Sequence, residues 1–280
     1  ITPELIGKIA IKKGINTLLR YFDNSAATHI LKRYGRARLV TATNVFAHID
    51  NVETVIKNIL KILDKDGVFV SESHYLVSLI KTVQYDTIYH EHMRYYSLLS
   101  LDYLFKKYGL QIFFAKKIPT HGGSIRVYVS KSKKYKIHSS VKKILNYEKK
   151  FLTKKTFDKF KNDVVSSKIN LYSLLKNLKK KNKLIFGVGA PSRAATLVNY
   201  VGLNEDIIKY ILEIKGSHKI GKYMPGTNIP IIDEKIINKY KPDYLLLLSW
   251  HISKDLIKNF KKRGFKGKFI VPLPNPRIIS

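Results

Sequence analysis

From residue 184 onward the chain alternates short apolar runs with amphipathic ones, and this alternation restricts the fold more than any other feature. "LIFGVGAPSRAATLVNY" (184–200) reads as strand, glycine turn and helix. "IIKYILEI", "YLLLLSW" and "GKFIVPLP" read as three further buried strands, with "DEKIINKY" and "KDLIKNFKKRG" as helices between them. Buried strands that alternate with helices predict a mostly parallel sheet with helices on its faces.

An earlier stretch carries a second α/β pattern. "RLVTAT" (38–43) predicts a short buried strand, and "NVETVIKNILKIL" (51–63) has apolar residues at helical spacing. "VFVSES" (68–73) is the next strand, after a turn at Gly67, which makes one β-α-β unit. "SLDYLFKKYG" (100–109) predicts a helix closed by a glycine. "LQIFFAKKI" and "GSIRVYVS", joined by "PTHGG", predict an antiparallel hairpin at a sheet edge.

Residues 131–183 are rich in lysine and hold three acids, Glu148, Asp158 and Asp163. Ile144, Leu145, Phe151 and Leu152, then Leu171, Leu174, Leu175 and Leu178, recur at helical spacing and predict two amphipathic helices. The expected organisation is a first α/β domain over 1–134, a helical linker over 135–183 and a second α/β domain over 184–280.

At 280 residues with 45% hydrophobic side chains the chain can bury the cores of two domains. A net charge of +32 invites a nucleic-acid or polyanion partner. The lysines are spread along the chain together with abundant isoleucine, asparagine and tyrosine, the pattern of AT-rich coding, so no nucleic-acid partner is expected. The positive field still favours a small anionic substrate such as a nucleotide diphosphate. With no cysteine there is no disulfide, thiolate metal site or cysteine nucleophile. The lack of a signal peptide and of a run of about 18 apolar residues predicts a cytosolic chain with no membrane partner.

Three stretches carry candidate chemistry. "YDTIYHEHMRYYS" (85–97) crowds Tyr89, His90, Glu91 and His92 together. His-Glu-His lacks the helical zinc spacing, although an extended chain puts His90 and His92 on one face as two ligands, with His48 as a third. Acid–base work suits the cluster better, because histidine titrates near neutrality and an adjacent carboxylate or tyrosine orients it. A polar loop without function is the bland alternative. "NVFAHIDN" (44–51) follows a strand, where open α/β sheets place ligands, so Asn44 and His48 are candidates there. "FGVGAPSRA" (186–194) brings Gly187 and Gly189 before a helix that carries Arg193, a generic phosphate cradle. Serine stands where a dinucleotide fingerprint wants its third glycine. "KYMPGTNIP" (222–230) is expected to be a loop lining the same crevice, or a plain proline-glycine turn.

In order, "NVFAHI", "LDKDGVFV", "YDTIYHEHMRYYS", "HGGSIRVYV", "GVGAPSRAATLVNYVG", "YMPGTNIPI" and "PDYLLLLSW" resemble the sugar-nucleotide C-methyltransferases of the deoxysugar C-3 type. These are S-adenosylmethionine-dependent enzymes that make branched deoxysugars. The resemblance covers nearly the whole chain. It implies a partial class I methyltransferase domain with a Rossmann-like fold, then a second Rossmann-like domain that helps to hold the sugar nucleotide, a dTDP-sugar. By that likeness His92 is the catalytic base, with Glu91 and Tyr89 beside it and His48 as a second active-site histidine. Asn44 touches the cofactor, and Gly187, Gly189, Arg193 and Lys222 serve the sugar nucleotide. No metal takes part. The family's cysteine-bound zinc domain and its glycine-rich cofactor loop have no counterpart here. "ITPEL", with Thr2 and Glu4, stands where the family has an acid for the cofactor ribose. The resemblance therefore predicts a truncated enzyme with impaired cofactor binding. Two other classes are an NAD-dependent sugar-nucleotide oxidoreductase, suggested by Gly187-x-Gly189 with Glu213 as the ribose acid, and a non-enzymatic polyanion-binding protein, suggested by the charge.

Overall fold

The structure, a computed structural model, describes residues 3–280. Thr2 lies outside the described residues, and Glu4 is exposed and paired with Lys8 at 2.8 Å. The chain divides into two compact units that are not consecutive stretches of sequence. The first holds residues 1–74, 93–118 and 124–149, and the second holds 75–92, 119–123 and 150–280. Residues 75–92, expected with the first domain, thus cluster with the C-terminal unit.

In the first unit the strands are β1 (Ala37–Thr43), β2 (Leu63–His74), β3 (Gln111–Ile118) and β4 (Ser124–Ser130), in the sheet order β1-β2-β4-β3. β1 and β2 run parallel, and β4 pairs antiparallel with both β2 and β3, so the expected hairpin is present. The helix Val52–Ile62 connects the parallel pair. It starts where Asn51 caps the Thr54 amide, and it buries Val52, Ile56, Ile59 and Ile62, spaced as one helical face. Three phenylalanines, Phe46, Phe69 and Phe105, meet in the core with ring centroids 5.6–6.2 Å apart.

Two expectations need correction. β1 is not buried: it lies at the sheet edge with β2 as its partner, and Leu39 is 60% exposed. A short apolar run reports composition, not how many neighbours the strand will gain. The turn at Gly67 is a bulge within a continuous β2, where the register passes from Ala37↔Leu63 to Leu39↔Val68.

The two lysine-rich helices form at Ser139–Phe151 and Lys154–Lys180. The second buries Ser167, Leu171, Leu175 and Leu178, a single stripe, while most of its lysines are exposed.

Among the described residues, the sheet of the second unit is ordered β10 (Arg277–Ile279), β9 (Lys268–Val271), β8 (Tyr244–Leu247), β5 (Ile185–Val188), β6 (Ile211–Glu213) and β7 (Ile231–Asp233). Every pairing is parallel except β10 with β9. The four residues of β5 are all buried, as a central parallel strand requires. From β5 the chain moves outward through the helix Ser192–Val201 to β6 and β7, then returns to β8 on the other side. The strand order therefore reverses between β5 and β8, and the carboxyl ends of these two strands flank the switch-point crevice.

Candidate active site

The sequence 84–92 folds as a compact hook within the second unit. Tyr85–Thr87 is a 3₁₀ turn and Tyr89–Glu91 a second turn, closed by the His92 amide donating to the Tyr89 carbonyl at 2.9 Å. The extended conformation that would have made His90 and His92 a ligand pair is not adopted. Among the described residues no three histidine, aspartate or glutamate side chains are grouped to hold a metal ion.

The hook fixes the His92 ring at both nitrogens. Nδ1 lies 2.9 Å from the Thr87 carbonyl, and Nε2 lies 3.1 Å from the Tyr89 hydroxyl. A carbonyl only accepts, so Nδ1 carries the proton and Nε2 keeps a lone pair, to which Tyr89 donates. The tyrosine ring also packs on the imidazole, with centroids 4.3 Å apart. Burial, with the charge of Glu91 second, raises the Tyr89 phenol above its ordinary value, partly opposed by Arg193. The phenol thus stays a donor through neutral pH. His90 and Glu91 are exposed, with His90 Nε2 4.0 Å from a Glu91 carboxylate oxygen. Of the carboxylate or tyrosine that the sequence offered as the orienting neighbour, the tyrosine is present on Nε2, and the group on Nδ1 is a backbone carbonyl.

The glycine turn after β5 is built as expected, but its amides are engaged inside the unit. Gly187 and Gly189 donate to the Tyr210 and Leu212 carbonyls at 2.8 Å, and Ala190 donates to Glu213 Oε2 at 3.0 Å. Gly189 has φ +81, and a Cβ there would strike the Ser249 hydroxyl, so glycine is required. Arg193 sits in the first turn of the following helix and is buried. Its Nε and Nη2 bind the two oxygens of Asp86 at 2.7 and 2.8 Å. Its guanidinium lies over Trp250, 4.9 Å from the ring centroid. The third nitrogen, Nη1, is 3.5 Å from His251 Nδ1.

His251, in the turn Trp250–Ile252 after β8, is half-buried. Burial, then the Arg193 charge, depress it to about 4, so it is neutral at physiological pH. The sequence reading missed both Asp86 and His251. Each becomes visible only through partners distant in the chain, Asp86 through Trp250 at a separation of 164 and His251 through Arg193 at 58.

The "KYMPGTNIP" loop is a small hairpin: Met224 N–H donates to Ile229, and Ile231 N–H donates to Lys222. The Pro225 carbonyl at its tip accepts from Asn199, near the C-terminal end of the helix Ser192–Val201. That is the amino edge of the sheet, because this helix runs back from the carboxyl end of β5. The loop therefore does not line the carboxyl-edge crevice, and Lys222 is exposed on its outgoing limb.

Asn44 and His48 belong to the first unit, as Tyr89, Glu91, His92, Gly187, Gly189, Arg193 and Lys222 belong to the second. Asn44 ends β1 with φ 54, a left-handed conformation that asparagine tolerates, and its amide donates to the Glu72 carbonyl at 2.9 Å. Phe46, buried two residues later, anchors this loop, and Arg94 ties it down by donating to the Ile49 and Asp50 carbonyls. His48, exposed, ends the 3₁₀ turn Phe46–His48 whose other two residues are buried. Nearby, the buried Glu72 pairs with Arg126 at 2.6 Å.

Comparison with known proteins gives two family matches. A family model described as the C-methyltransferase C-terminal domain matches residues 119–274, and a methyltransferase domain model matches residues 3–113. The chain is 33% identical over 278 residues to the C-methyltransferase NovU of Streptomyces niveus, an alignment covering 97% of this chain and 66% of the relative. The chain thus spans about two thirds of the length of the curated relative it matches.

Proposed function

We propose, from the premise that this chain belongs to the C-methyltransferase family, that it is an S-adenosylmethionine-dependent C-methyltransferase acting on a nucleotide-linked keto-deoxysugar, dTDP-linked by the resemblance of its motifs. The observation that carries this reading is the His92 ring, with its proton on Nδ1 and its lone pair on Nε2 beside the Tyr89 hydroxyl.

The carbon next to a sugar ketone is acidic enough for a neutral imidazole to deprotonate. As the keto-sugar binds, the Tyr89 hydroxyl turns its donation from Nε2 to the ketone oxygen, which uncovers the single Nε2 lone pair. His92 Nε2 then takes the α-proton, and the electron pair of the C–H bond moves into the enolate. Tyr89, donating to the enolate oxygen, stabilises the charge where it develops. Nδ1–H remains bonded to the Thr87 carbonyl and steadies the imidazolium. Tyr89 is assigned this donor role ahead of His48 because it already contacts the base. Glu91 supplies a nearby negative charge that further favours the imidazolium.

Bound S-adenosylmethionine supplies an electrophilic methyl group to the enolate carbon. Of the residues present, Asn44 suits its binding: the half-buried amide stands at the carboxyl end of β1, the edge where such sheets receive cofactors. For the nucleotide we assign the carboxyl edge of β5, where Gly187 and Gly189 shape the turn through their bonds to Tyr210 and Leu212 and where Arg193 Nη1, the nitrogen that Asp86 does not take, supplies the charge. Lys222, on the exposed loop at the amino edge, is left out of this assignment.

Calorimetric titration of the chain with S-adenosylmethionine and, separately, with a dTDP-linked keto-sugar tests this reading. Binding of the keto-sugar is expected, with S-adenosylmethionine bound more weakly, as the impaired cofactor site implied by the motifs requires. If neither binds, the family relation describes ancestry and fold, and the proposed substrate and cofactor fall.

A further inference from the structure

Asp86 is fully buried, and no step of the chemistry above uses it. Its carboxylate nevertheless has a complete set of donors: Arg193 Nε at 2.7 Å and Trp250 Nε1 at 2.8 Å on Oδ2, and Arg193 Nη2 at 2.8 Å on Oδ1. Gln84 extends the group by donating to the Gly122 carbonyl at 2.8 Å, while its own oxygen lies 3.4 Å from Arg193 Nη2. A bidentate guanidinium plus an indole N–H fixes the carboxylate in orientation as well as in position. Such a buried ion pair is weak evidence for stability, since an apolar replacement of like volume often does as well. It is a better device for holding one geometry.

What it holds is the 3₁₀ turn Tyr85–Thr87, of which Asp86 is the central residue. The next carbonyl along, that of Thr87, is the one that accepts from His92 Nδ1. The connection therefore runs from Arg193 and Trp250 to Asp86, through one peptide to the Thr87 carbonyl, and on to the imidazole. Left to water, a neutral histidine side chain prefers its proton on Nε2, the tautomer that could not act as a base at that atom.

We propose that Asp86 is a positioning residue: by anchoring its turn on Arg193 and Trp250 it aims the Thr87 carbonyl at His92 and so holds the imidazole in the tautomer that leaves Nε2 unprotonated. The inference deepens the proposed function and rests on it for its purpose, but the tautomer itself can be observed without catalysis.

The test is ¹⁵N NMR of the histidine rings in the chain, with His92 assigned by comparison with His92→Gln and the pH held above the titration of the ring. The unsubstituted chain is expected to show the Nδ1–H pattern for His92. Asp86→Asn is expected to shift the ring toward Nε2–H, and Trp250→Phe, which removes one donor and no charge, to shift it less in the same direction. Deuterium exchange at the keto-sugar α-carbon should fall by at least about tenfold in Asp86→Asn. Asp86→Asn also leaves Arg193 without its partner; where that variant does not fold, Trp250→Phe decides. A folded variant that keeps the Nδ1–H pattern, whatever its melting temperature, overturns the proposal and leaves Asp86 a structural ion-pair member only. If the tautomer changes while exchange does not, the positioning stands and the assignment of His92 as the base fails.

Discussion

The carboxyl edges of the two sheets present the same kind of sequence, polar residues just after an apolar strand, and they hold them differently. At the end of β1, Asn44 is half-buried, His48 is exposed, and Arg126 of the nearby ion pair with Glu72 keeps 34% of its side chain in solvent. At the ends of β5 and β8, Asp86, Arg193 and Trp250 are buried and bonded to one another. Burial in a central parallel sheet excludes water, so polar groups there must satisfy each other in one geometry. At the end of β1, His48 and Arg126 reach water, which can solvate them, and the geometry can adjust. The fixed site suits an acid–base group whose tautomer matters. The adjustable one suits residues whose partner is another molecule.

That contrast can be broken by mutation. The largest effect is expected from Arg193→Ala, which strands the buried Asp86 carboxylate and should cost about 3–5 kcal/mol of stability. Denaturant unfolding measures it, and a loss under about 1 kcal/mol would mean that the cluster is not held as described. Gly189→Ala should cost about 2 kcal/mol, because alanine must adopt a left-handed conformation and its Cβ meets Ser249. At the other edge, Glu72→Gln should cost only about 1 kcal/mol, since Arg126 reaches solvent. A cost equal to that of Arg193→Ala would erase the distinction between the two edges.

A smaller effect should appear with pH. The folded value of His251 lies at about 4, below its ordinary 6.5. Between these limits the unfolded chain binds the extra proton, so this residue's contribution to stability is complete above about 6.5 and is lost as pH falls toward 4. Melting curves across that window should be flatter for His251→Asn than for the unsubstituted chain. Equal slopes would place the acid sensitivity elsewhere.

The C-terminal sheet was legible because β5, β8 and β9 are apolar runs that can exist only inside, and the helices between them carry a clear face. β7 and β10 were not read, since three residues carry too little pattern. β1 was read as buried because periodicity cannot reveal a missing neighbour. At the site, Tyr89 and His92 stood out by residue type. Asp86 did not, because an aspartate next to a tyrosine looks like any polar turn until Arg193, 107 residues later, folds onto it. Arg193 was noticed as a cation at a helix start, but its principal anion proved to be part of the chain itself.

The central claim is that His92 Nε2 removes a proton from the carbon beside a sugar ketone, and that half-reaction can be followed without methyl transfer. The chain is incubated in D₂O with a dTDP-linked 4-keto-deoxysugar, and deuterium at the α-carbon is followed by NMR. The account predicts exchange well above the buffer rate, reduced about 10²-fold or more by His92→Gln in a folded variant. Exchange at the same rate in His92→Gln would contradict it.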